Sequence, residues 1–232
     1  MDIEGARFLV VGGSGVLGGL ATRALVDAGA RVVVTGRDQG RLAEAATTAG
    51  TDPITLDVVD VEACADAVRS AAEQLGGLDG LLVATGVPAF GAALETEPAV
   101  AEELFAVNTL GPMALVRGAG PLLAESGGVV AVLSAILADL PTNQMADYSA
   151  SKAALSAWLG VVRRENRRAF RVLDVRPPHL DTGLLEHPLA GTAPKLPEPL
   201  AGSAVVDALL EALRTDASEI VWDPKAKELS LK

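Results

Sequence analysis

The sequence is poor in residues on which several classes of protein depend. Its 232 residues include one cysteine, two histidines and one tyrosine, and only 3% are aromatic. The single Cys64 excludes an internal disulfide and fits a reducing compartment, and its helical setting between Ala63 and Ala65 argues against a catalytic thiol. His179 and His187 have no partner at metal-ligand spacing and no place in a Ser-His-acid arrangement. We therefore expect neither a metal site nor a hydrolytic triad.

Basic residues are outnumbered: 19 lysines and arginines stand against 30 aspartates and glutamates, with a net charge of −11 and a pI near 4.6. This balance argues against nucleic acid or anionic lipid as a main partner, because phosphate groups bind to cationic faces. The start, Met1–Glu4, lacks the basic segment of a signal peptide, and no apolar run reaches the roughly 18 residues of a membrane span. We expect a cytoplasmic protein with no nucleic-acid or membrane partner.

Small and branched apolar residues are abundant. Half of the residues are apolar although few are aromatic, so the core must consist mainly of Ala, Val and Leu. Such cores suit helices packed on a parallel sheet. Residues 1–232 contain no linker, repeat or low-complexity tract, and the length suits a single α/β domain.

A glycine-rich segment follows the first predicted strand, Arg7–Val11. Residues 12–19 read GGSGVLGG and place Gly12, Gly15 and Gly18 between this strand and a helical pattern. Glycines allow a tight turn and close backbone approach, while a helix N-terminus offers free N–H groups and positive potential. We predict that the turn binds the pyrophosphate of a dinucleotide. The alternative is a plain turn, because 24 glycines make such spacing possible by chance.

The second predicted strand, Arg31–Thr35, leads into Gly36, Arg37 and Asp38. A carboxylate near this point would bind the ribose hydroxyls of NAD, whereas an arginine can receive the 2′-phosphate of NADP. Because Gly36 occupies the expected acidic position and Arg37 follows it, we favour NADP(H). NAD(H) remains possible, because Asp38 is only one residue further and Arg37 can simply be solvated.

The strand predicted at 54–56 is followed by Asp57 and Val58. An acid at a strand end can accept a hydrogen bond from adenine. It can also cap the helix that begins near Val61. The two roles are compatible.

The central predicted strand, 81–84, is followed closely by Gly86, and strand ends of this kind form the crevice in which open α/β sheets bind ligands. A long helix is predicted next, from about 99 to 123. It contains Asn108, and Pro112 favours a kink nearby. The sequence leaves two interpretations of Asn108 open, a surface residue and a functional one.

Tyr148 and Lys152 lie four residues apart in a run that favours a helix, so both side chains can face one cleft. A phenol with a pKa of about 10 needs a shift of roughly three units, about 4 kcal/mol, to transfer protons near neutrality. An ammonium about 4 Å away at an effective dielectric near 20 supplies energy of that order. The alternative is an ordinary surface pair. Ser134, after the strand predicted at 129–133, either hydrogen-bonds a substrate carbonyl or caps a turn.

The sixth predicted strand, 170–175, leads into RPPHLDTG at 176–183, in which Thr182 can reach a cofactor amide or phosphate. Residues 184–200 contain four prolines and predict either a mobile flap over a substrate or an inert excursion. A last helix and a strand ending at Trp222 complete the predicted sheet.

Together these motifs resemble the short-chain dehydrogenase/reductase family over nearly the whole chain. The motifs that occur in the family's order and approximate spacing are the glycine turn, Asp57-Val58, Asn108, Tyr148-x-x-x-Lys152 and Pro177 to Thr182. The resemblance implies a Rossmann-type, doubly wound, seven-stranded parallel sheet flanked by helices, and a nicotinamide cofactor. The cofactor-binding residues that we expect are Gly12, Ser14, Gly15, Leu17, Gly18, Arg37, Asp57, Val58, Ala84, Gly86, Tyr148, Lys152, Pro177, Leu180 and Thr182.

The resemblance also implies catalytic roles. Tyr148 would exchange a proton with the substrate oxygen, and Lys152 would lower the phenol pKa and hold the nicotinamide ribose. Ser134 would orient the carbonyl, and Asn108 would help to hold a water that relays protons to Lys152. Ser134 lies fourteen residues before Tyr148, while the family more often has thirteen, the position of Ala135. A one-residue insertion restores Ser134, which we favour.

The leading hypothesis is an NADP(H)-dependent oxidoreductase that interconverts a ketone and a secondary alcohol. A catalytically weak NADP(H)-binding sensor or scaffold is an alternative, because the family's Asn-Asn-Ala-Gly motif reads VATG at 83–86. An epimerase or dehydratase with bound cofactor is a third possibility. We also expect a homodimer or homotetramer, since family members commonly pair through the helices that hold Asn108 and Tyr148.

Overall fold

An eight-stranded sheet forms the centre of the computed structural model, which describes residues 1–232. The strands run in the order β3-β2-β1-β4-β5-β6-β7-β8. Strands β1 to β7 are parallel, and β8 is antiparallel to β7. Their bounds are β1 Arg7–Val11, β2 Arg31–Gly36, β3 Ile54–Thr55, β4 Gly80–Val83, β5 Val129–Leu133, β6 Arg171–Arg176, β7 Glu219–Asp223 and β8 Glu228–Leu231.

This sheet confirms the predicted doubly wound α/β fold and corrects its strand count. The sequence analysis ended the sheet at Trp222 and missed β8. A tight turn joins β7 to β8, in which the Asp223 carboxylate accepts hydrogen bonds from the backbone N–H groups of Lys225 and Ala226 at 2.8 and 3.1 Å. Because the turn reverses the chain at once, the last strand pairs antiparallel without a crossover helix.

Helices cover both faces of the sheet. The seven α-helices are α1 Val16–Asp27, α2 Gln39–Ala49, α3 Val61–Leu75, α4 Pro98–Phe105, α5 Gly111–Ser126, α6 Ala146–Asn166 and α7 Gly202–Arg214. Alternate residues of β1 divide between the faces: Leu9 and Val11 pack with α3, α5 and α6, whereas Phe8 and Val10 pack with α1, α2 and α7. Ala, Val and Leu dominate both cores, as the composition predicted.

The helical region predicted at about 99–123 is α4 and α5 joined by a π-helical turn, Ala106–Leu110. Such turns insert an extra residue into the helix and are frequent at functional sites. The predicted irregularity near Pro112 therefore takes this form, with Asn108 in its middle. Pro98–Ser126 is also long and apolar enough to cross a membrane by length and composition, and 44% of its most apolar window is buried inside the protein.

Candidate active site

The predicted site residues follow the carboxyl ends of the parallel strands. The chain leaves β1 for β2 on one side and later returns to pair β4 on the other side of β1. In an open α/β sheet, the crevice at such a reversal of strand order is where ligands bind. The glycine turn lies after β1, and Ala84 and Gly86 lie after β4, so both border this crevice.

The glycine turn after β1 is a close-packed cradle. Gly12 has a φ of +83°, and a β-carbon there would lie 3.0 Å from Thr85 Cγ2 and 3.1 Å from the Ala84 carbonyl oxygen. A β-carbon at Gly18 would overlap the Gly12 carbonyl oxygen. Helix α1 begins after Gly15 without a side-chain cap, which leaves the N–H groups of its first turn available to an anion.

Two buried hydroxyl groups beside this cradle have no hydrogen-bond partner in the protein, those of Thr35 and Thr85. Thr35 is next to the turn, because its carbonyl accepts hydrogen bonds from Gly12 N and Gly13 N at 3.1 and 2.9 Å. Buried polar groups are normally paired, so the unpaired hydroxyl of Thr85, whose side chain lies next to Gly12, fits a polar ligand at this cradle. The residues present therefore fit a dinucleotide.

Gly36 and Arg37 stand at the end of β2, opposite this turn. A β-carbon at Gly36 would overlap the Ser14 side chain, so the chain has no room there for an acidic residue. Arg37 Nη1 lies 3.7 Å from Asp57 Oδ2, with both side chains largely exposed. Asp38, the residue that kept NAD(H) open, caps α2: its Oδ1 accepts from Arg41 N at 2.9 Å, and this bond lowers its pKa.

Asp57 does not cap α3. Asp60 does so, accepting from Glu62 N at 3.2 Å and Ala63 N at 3.0 Å, while Asp57 Oδ1 only accepts from Val59 N at 3.3 Å. The helix-capping interpretation of Asp57 is therefore wrong, because the cap lies three residues later. Its neighbour Val58 is 5% exposed.

Asn108 is fully buried and joins the segment after β4 to α6. Its Oδ1 accepts from Val87 N at 2.9 Å, and its Nδ2 donates to the Val87 carbonyl at 3.0 Å and to Ser151 Oγ at 3.1 Å. A β-carbon at Gly86 would lie 3.2 Å from Lys152 Nζ and 3.3 Å from Asn108 Oδ1. The structure thus brings Gly86, Asn108 and Lys152 together, and it excludes the surface interpretation of Asn108.

Tyr148 and Lys152 lie one turn apart on α6 and are 6% and 3% exposed. They are therefore not a surface pair. Lys152 Nζ donates to the Leu133 carbonyl at 3.0 Å, whereas none of the hydrogen bonds in the structure involves the Tyr148 hydroxyl. This arrangement leaves the phenol as the free proton-carrying group of the pair.

Burial dominates the proton affinities of both groups. It raises the pKa of Tyr148 to about 12 and lowers that of Lys152 to about 8, the latter against an opposing effect of Asp174. Burial holds the phenol pKa above its ordinary value, so the phenol does not reach the near-neutral pKa that we expected beside Lys152. At neutral pH the phenol is protonated, which suits a proton donor.

The Ser134 hydroxyl forms its hydrogen bonds within the protein. It donates to Asp174 Oδ1 and lies 3.3 Å from the Val175 carbonyl oxygen. The neighbouring Ala135 has extended backbone, with φ −169° and ψ 159°, so the two side chains point to opposite sides of the chain. The hydroxyl of Ser134 is therefore part of a buried polar cluster, and its hydrogen bonds go to Asp174 and Val175.

The predicted residues after β6 lie along a connection to α7. The Pro177 carbonyl accepts from Ile136 N at 2.9 Å, and Leu180 forms a bridge with Leu200. Asp181 Oδ1 accepts from Gly202 N at 2.8 Å. Thr182 follows and is half-buried.

Tyr148 belongs to an apolar cluster. The other buried members are Ala89, Phe90, Leu104 and Met145, and the partly buried side chains packed against the cluster are Val87, Val100, Leu137, Leu185, Ala193 and Leu196. Three of these come from the segment 184–200, which is tied to the loop after β4. Leu189 N donates to the Pro88 carbonyl and Phe90 N to the Ala190 carbonyl, both at 2.9 Å. This segment therefore packs against the cluster that contains Tyr148, and its role as a flap over a substrate stays a prediction.

Sequence analysis missed several residues of this site. No sequence pattern pointed to Ala89, Phe90 or Met145, because apolar residues in loops do not reveal what they pack against. Asp174 could have been recognised from the sequence, since it is the only charged residue between Arg171 and Arg176 in an otherwise apolar strand.

The family described as short chain dehydrogenase matches residues 7–190. An uncharacterized oxidoreductase of Staphylococcus saprophyticus is 28% identical over 232 residues, 97% of this chain and 99% of that protein. A cyclic-di-GMP-binding biofilm dispersal mediator protein of Escherichia coli is 32% identical over 181 residues, 77% of this chain and 74% of that protein. Three other relatives are longer, and the chain spans 56 to 57% of their length.

A solved structure agrees with these matches. A short chain dehydrogenase from Burkholderia cenocepacia in complex with NADP has a TM-score of 0.84 and 30% identity, over 97% of this chain and 91% of that chain. The family pattern covers both the glycine turn and the Tyr148-Lys152 pair. This chain belongs to the short-chain dehydrogenase family of NAD(P)-dependent oxidoreductases.

Proposed function

We propose that the protein is an NADP(H)-dependent oxidoreductase that interconverts an apolar ketone and the corresponding secondary alcohol. The observation that carries this proposal is the position of Tyr148. Its phenol is unpaired, belongs to an apolar cluster, and stands one helical turn from a buried lysine that also lies close to the segment after β4. A bound nicotinamide would supply or accept the hydride.

Tyr148 would exchange a proton with the substrate oxygen in this reaction. In the direction of reduction, negative charge develops on the carbonyl oxygen, and the neutral phenol donates to it. The raised pKa of Tyr148 keeps the proton on the phenol until that charge appears. The Lys152 ammonium stabilises the phenolate that remains, through the low-dielectric surroundings that both groups share.

NADP(H) is favoured over NAD(H) by three features of the β2 end. Gly36 leaves no space for the acid that would bind a ribose diol, Asp38 is occupied in capping α2, and Arg37 is exposed beside the turn. Arg37 would pair with the 2′-phosphate, the group that distinguishes NADP. Asp57, 3.7 Å from Arg37, would then orient the guanidinium or accept from adenine.

The remaining predicted residues would complete the cofactor site. The backbone of Gly12, Ser14, Gly15, Leu17 and Gly18 would enclose the pyrophosphate. The nicotinamide half would lie along Ala84, Gly86, Pro177, Leu180 and Thr182, with Val58 beside the adenine. Asn108 would hold the π-helical turn against α6, so that its backbone can position a water near Lys152.

The substrate would be uncharged and apolar near its carbonyl. The cluster around Tyr148 supplies apolar surface beside the phenol. A charged group held against this surface would lose hydration, at a cost of several kcal/mol unless it is paired. Aliphatic and aromatic ketones should therefore be better substrates than keto acids of equal size.

Titration with NADPH and with NADH tests the cofactor step, followed by the fluorescence of Trp158 and Trp222. We expect NADPH to bind at least tenfold more tightly, a difference of about 1.4 kcal/mol. NADPH oxidation is then measured across a panel of ketones, with Tyr148→Phe as the matched variant. This variant should lose turnover while NADPH affinity stays within a few-fold. Turnover retained in Tyr148→Phe would refute the mechanism.

A binding module is the second candidate function. The Ser134 hydroxyl donates to Asp174 within the protein, and one relative is named as a cyclic-di-GMP-binding protein. A protein of this kind would bind NADPH, or a guanine dinucleotide in the same cradle, without oxidising NADPH in the presence of any ketone. Product formation without net change in NADPH would instead indicate an epimerase or dehydratase.

We further propose a soluble, cytosolic homo-oligomer that pairs through α5 and α6. An apolar groove between these helices includes Val116, Pro121, Trp158 and Val161, and the Arg117 guanidinium lies 5.5 Å from the Trp158 ring centroid. Val161→Glu should reduce the mass in light scattering to that of one chain. Leu94→Glu, at a fully exposed position in a loop, should leave the mass unchanged.

A further inference from the structure

Asp174 is a buried carboxylate in the middle of β6, 1% exposed. Its Oδ1 accepts from the Ser134 hydroxyl at the end of β5. Its Oδ2 accepts from Ser156 Oγ on α6 at 2.5 Å and from Arg176 Nη1 at 2.8 Å. One carboxylate thus joins β5, β6 and α6, the elements that surround Lys152.

Further charges extend from Asp174 through Arg176. Arg176 Nη2 pairs with Glu219 Oε2 at 2.7 Å, and its Nε lies 2.9 Å from Asp139 Oδ2. Glu219 Oε1 pairs in turn with Arg163 Nη1 at 2.9 Å. Three carboxylates therefore face two guanidinium groups, and the cluster carries one excess negative charge.

Two short connections lead from this cluster to Lys152. Ser156 is four residues after Lys152 and lies on the same face of α6. Ser134 follows Leu133, whose carbonyl accepts from Lys152 Nζ at 3.0 Å. A change at Asp174 therefore acts on both the helix that carries Lys152 and the strand end that binds it.

We propose that Asp174 is a positioning residue for Lys152, holding β5 and α6 at a fixed separation and supplying the negative charge that keeps the buried ammonium protonated. Burial lowers the pKa of Lys152, and the charge of Asp174 opposes this shift. The other titratable group next to Lys152 on α6 is Tyr148, which is neutral near pH 7, and Arg176 partly offsets Asp174 from β6. Asn108 and Gly86 face Lys152 from the other side and carry no charge.

The direct test follows the ionisation of Lys152 by NMR in the full chain labelled with ¹³C at lysine Cε. The chain has only five lysines, and the four others are at 195, 225, 227 and 232, so Lys152→Met identifies the resonance of interest. We expect a midpoint near 8 in the native protein and a midpoint at least half a pH unit lower in Asp174→Asn. Ser156→Ala, which removes a hydrogen bond but no charge, should shift the midpoint by less than half as much.

A second variant covers the case in which Asp174→Asn does not fold. Arg176→Gln keeps the Asp174 carboxylate with its two serine donors and removes the neighbouring cation, so the Lys152 midpoint should rise. A midpoint that stays constant in a folded Asp174→Asn, or that moves down in Arg176→Gln, would overturn the proposal. These measurements need no turnover.

The catalytic consequence rests on the proposed function. If Lys152 must be charged, the rate of ketone reduction declines as pH rises through the Lys152 pKa, and in Asp174→Asn this decline begins at lower pH. An altered NMR midpoint in a protein that reduces no ketone would refute the proposed function while leaving the role of Asp174 intact. An unaltered NMR midpoint in an enzyme that reduces ketones would refute the role of Asp174 while leaving the proposed function intact.

Discussion

Gly36 lies against the Ser14 side chain so closely that a β-carbon at position 36 would overlap the hydroxyl oxygen. At this contact, therefore, no side chain from the end of β2 separates the strand from the glycine turn. This contact excludes the acidic residue of an NAD-type site for a steric reason. The polar group available at this point is that of the next residue, Arg37.

We predict that Arg37→Gln weakens NADPH binding at least tenfold, about 1.4 kcal/mol, and changes NADH binding less than twofold. Only NADPH carries the phosphate that the guanidinium would neutralise. Fluorescence titration measures both affinities. Arg69→Gln is the control, because Arg69 is an equally exposed arginine on α3 that pairs with Asp66. Equal losses for the two cofactors would contradict the assignment of Arg37.

The glycine cradle offers a pair of matched substitutions. Gly18→Ala places a methyl group on the Gly12 carbonyl oxygen, whereas the β-carbon of Gly19→Ala would lie 3.5 Å from the Gly13 carbonyl oxygen, an ordinary contact. We expect Gly18→Ala to weaken NADPH binding more than tenfold and to lower the free energy of unfolding by about 1 to 3 kcal/mol. Gly19→Ala should leave binding unchanged and stabilise the protein by up to about 1 kcal/mol, since alanine favours the helix. Urea unfolding and NADPH titration compare the two, and similar affinities would argue against a phosphate role for this turn.

Ala135 stands thirteen residues before Tyr148, and its side chain points away from the Ser134–Asp174 bond. We predict that Ala135→Ser adds a hydrogen-bond donor for the substrate carbonyl and raises kcat for ketone reduction at least about tenfold, less than the roughly hundredfold or more that an optimally placed donor contributes. Ala138→Ser, on the short helical turn that follows, should have no such effect. Steady-state kinetics with NADPH and one ketone measure the difference, and an unchanged or lower kcat would show that position 135 does not face the carbonyl.

Lys152 should make stability depend on pH in the alkaline range. Its pKa is 10.5 in ordinary surroundings and about 8 in the folded protein, so between these values the unfolded chain binds one more proton than the folded chain. The free energy of unfolding then rises with pH through this window, by about 3 kcal/mol in total. Lys152→Met removes this contribution, so its stability relative to the native protein should be greatest at pH 8 and lower and fall toward pH 10.5. Denaturant unfolding at pH 7, 8, 9 and 10 tests this, and parallel curves for the two proteins would contradict it.

The sequence alone was sufficient for the family and the fold. The order of strand, glycine turn and helix, and the spacing of Tyr148 and Lys152, are local patterns that depend only on neighbouring residues. These patterns, taken in order, predicted a doubly wound sheet, and the family match and the architecture confirm it. The antiparallel β8 was not predicted, because a four-residue strand after a tight turn has too short a periodic pattern to be recognised.

The local environment of the site depended on contacts between residues distant in the chain. Sequence spacing allowed either Ser134 or Ala135 to face the substrate, and the bond from Ser134 to Asp174, forty residues away, shows where that hydroxyl points. The proton affinities of Tyr148 and Lys152 also depended on contacts between residues distant in the chain. The spacing of Tyr148 and Lys152 suggested that the lysine lowers the phenol pKa, but burial raises this pKa above its ordinary value.

Residue types and their spacing thus determined which groups this protein carries to the carboxyl edge of the sheet: a glycine turn, a phenol and an amine. Tertiary structure alone decided which of these groups are removed from water, which form hydrogen bonds and which have no hydrogen-bond partner. Desolvation and hydrogen bonding act through space rather than along the chain. For that reason the free phenol of Tyr148, the Lys152–Leu133 bond and the buried charge of Asp174 became visible only in the fold.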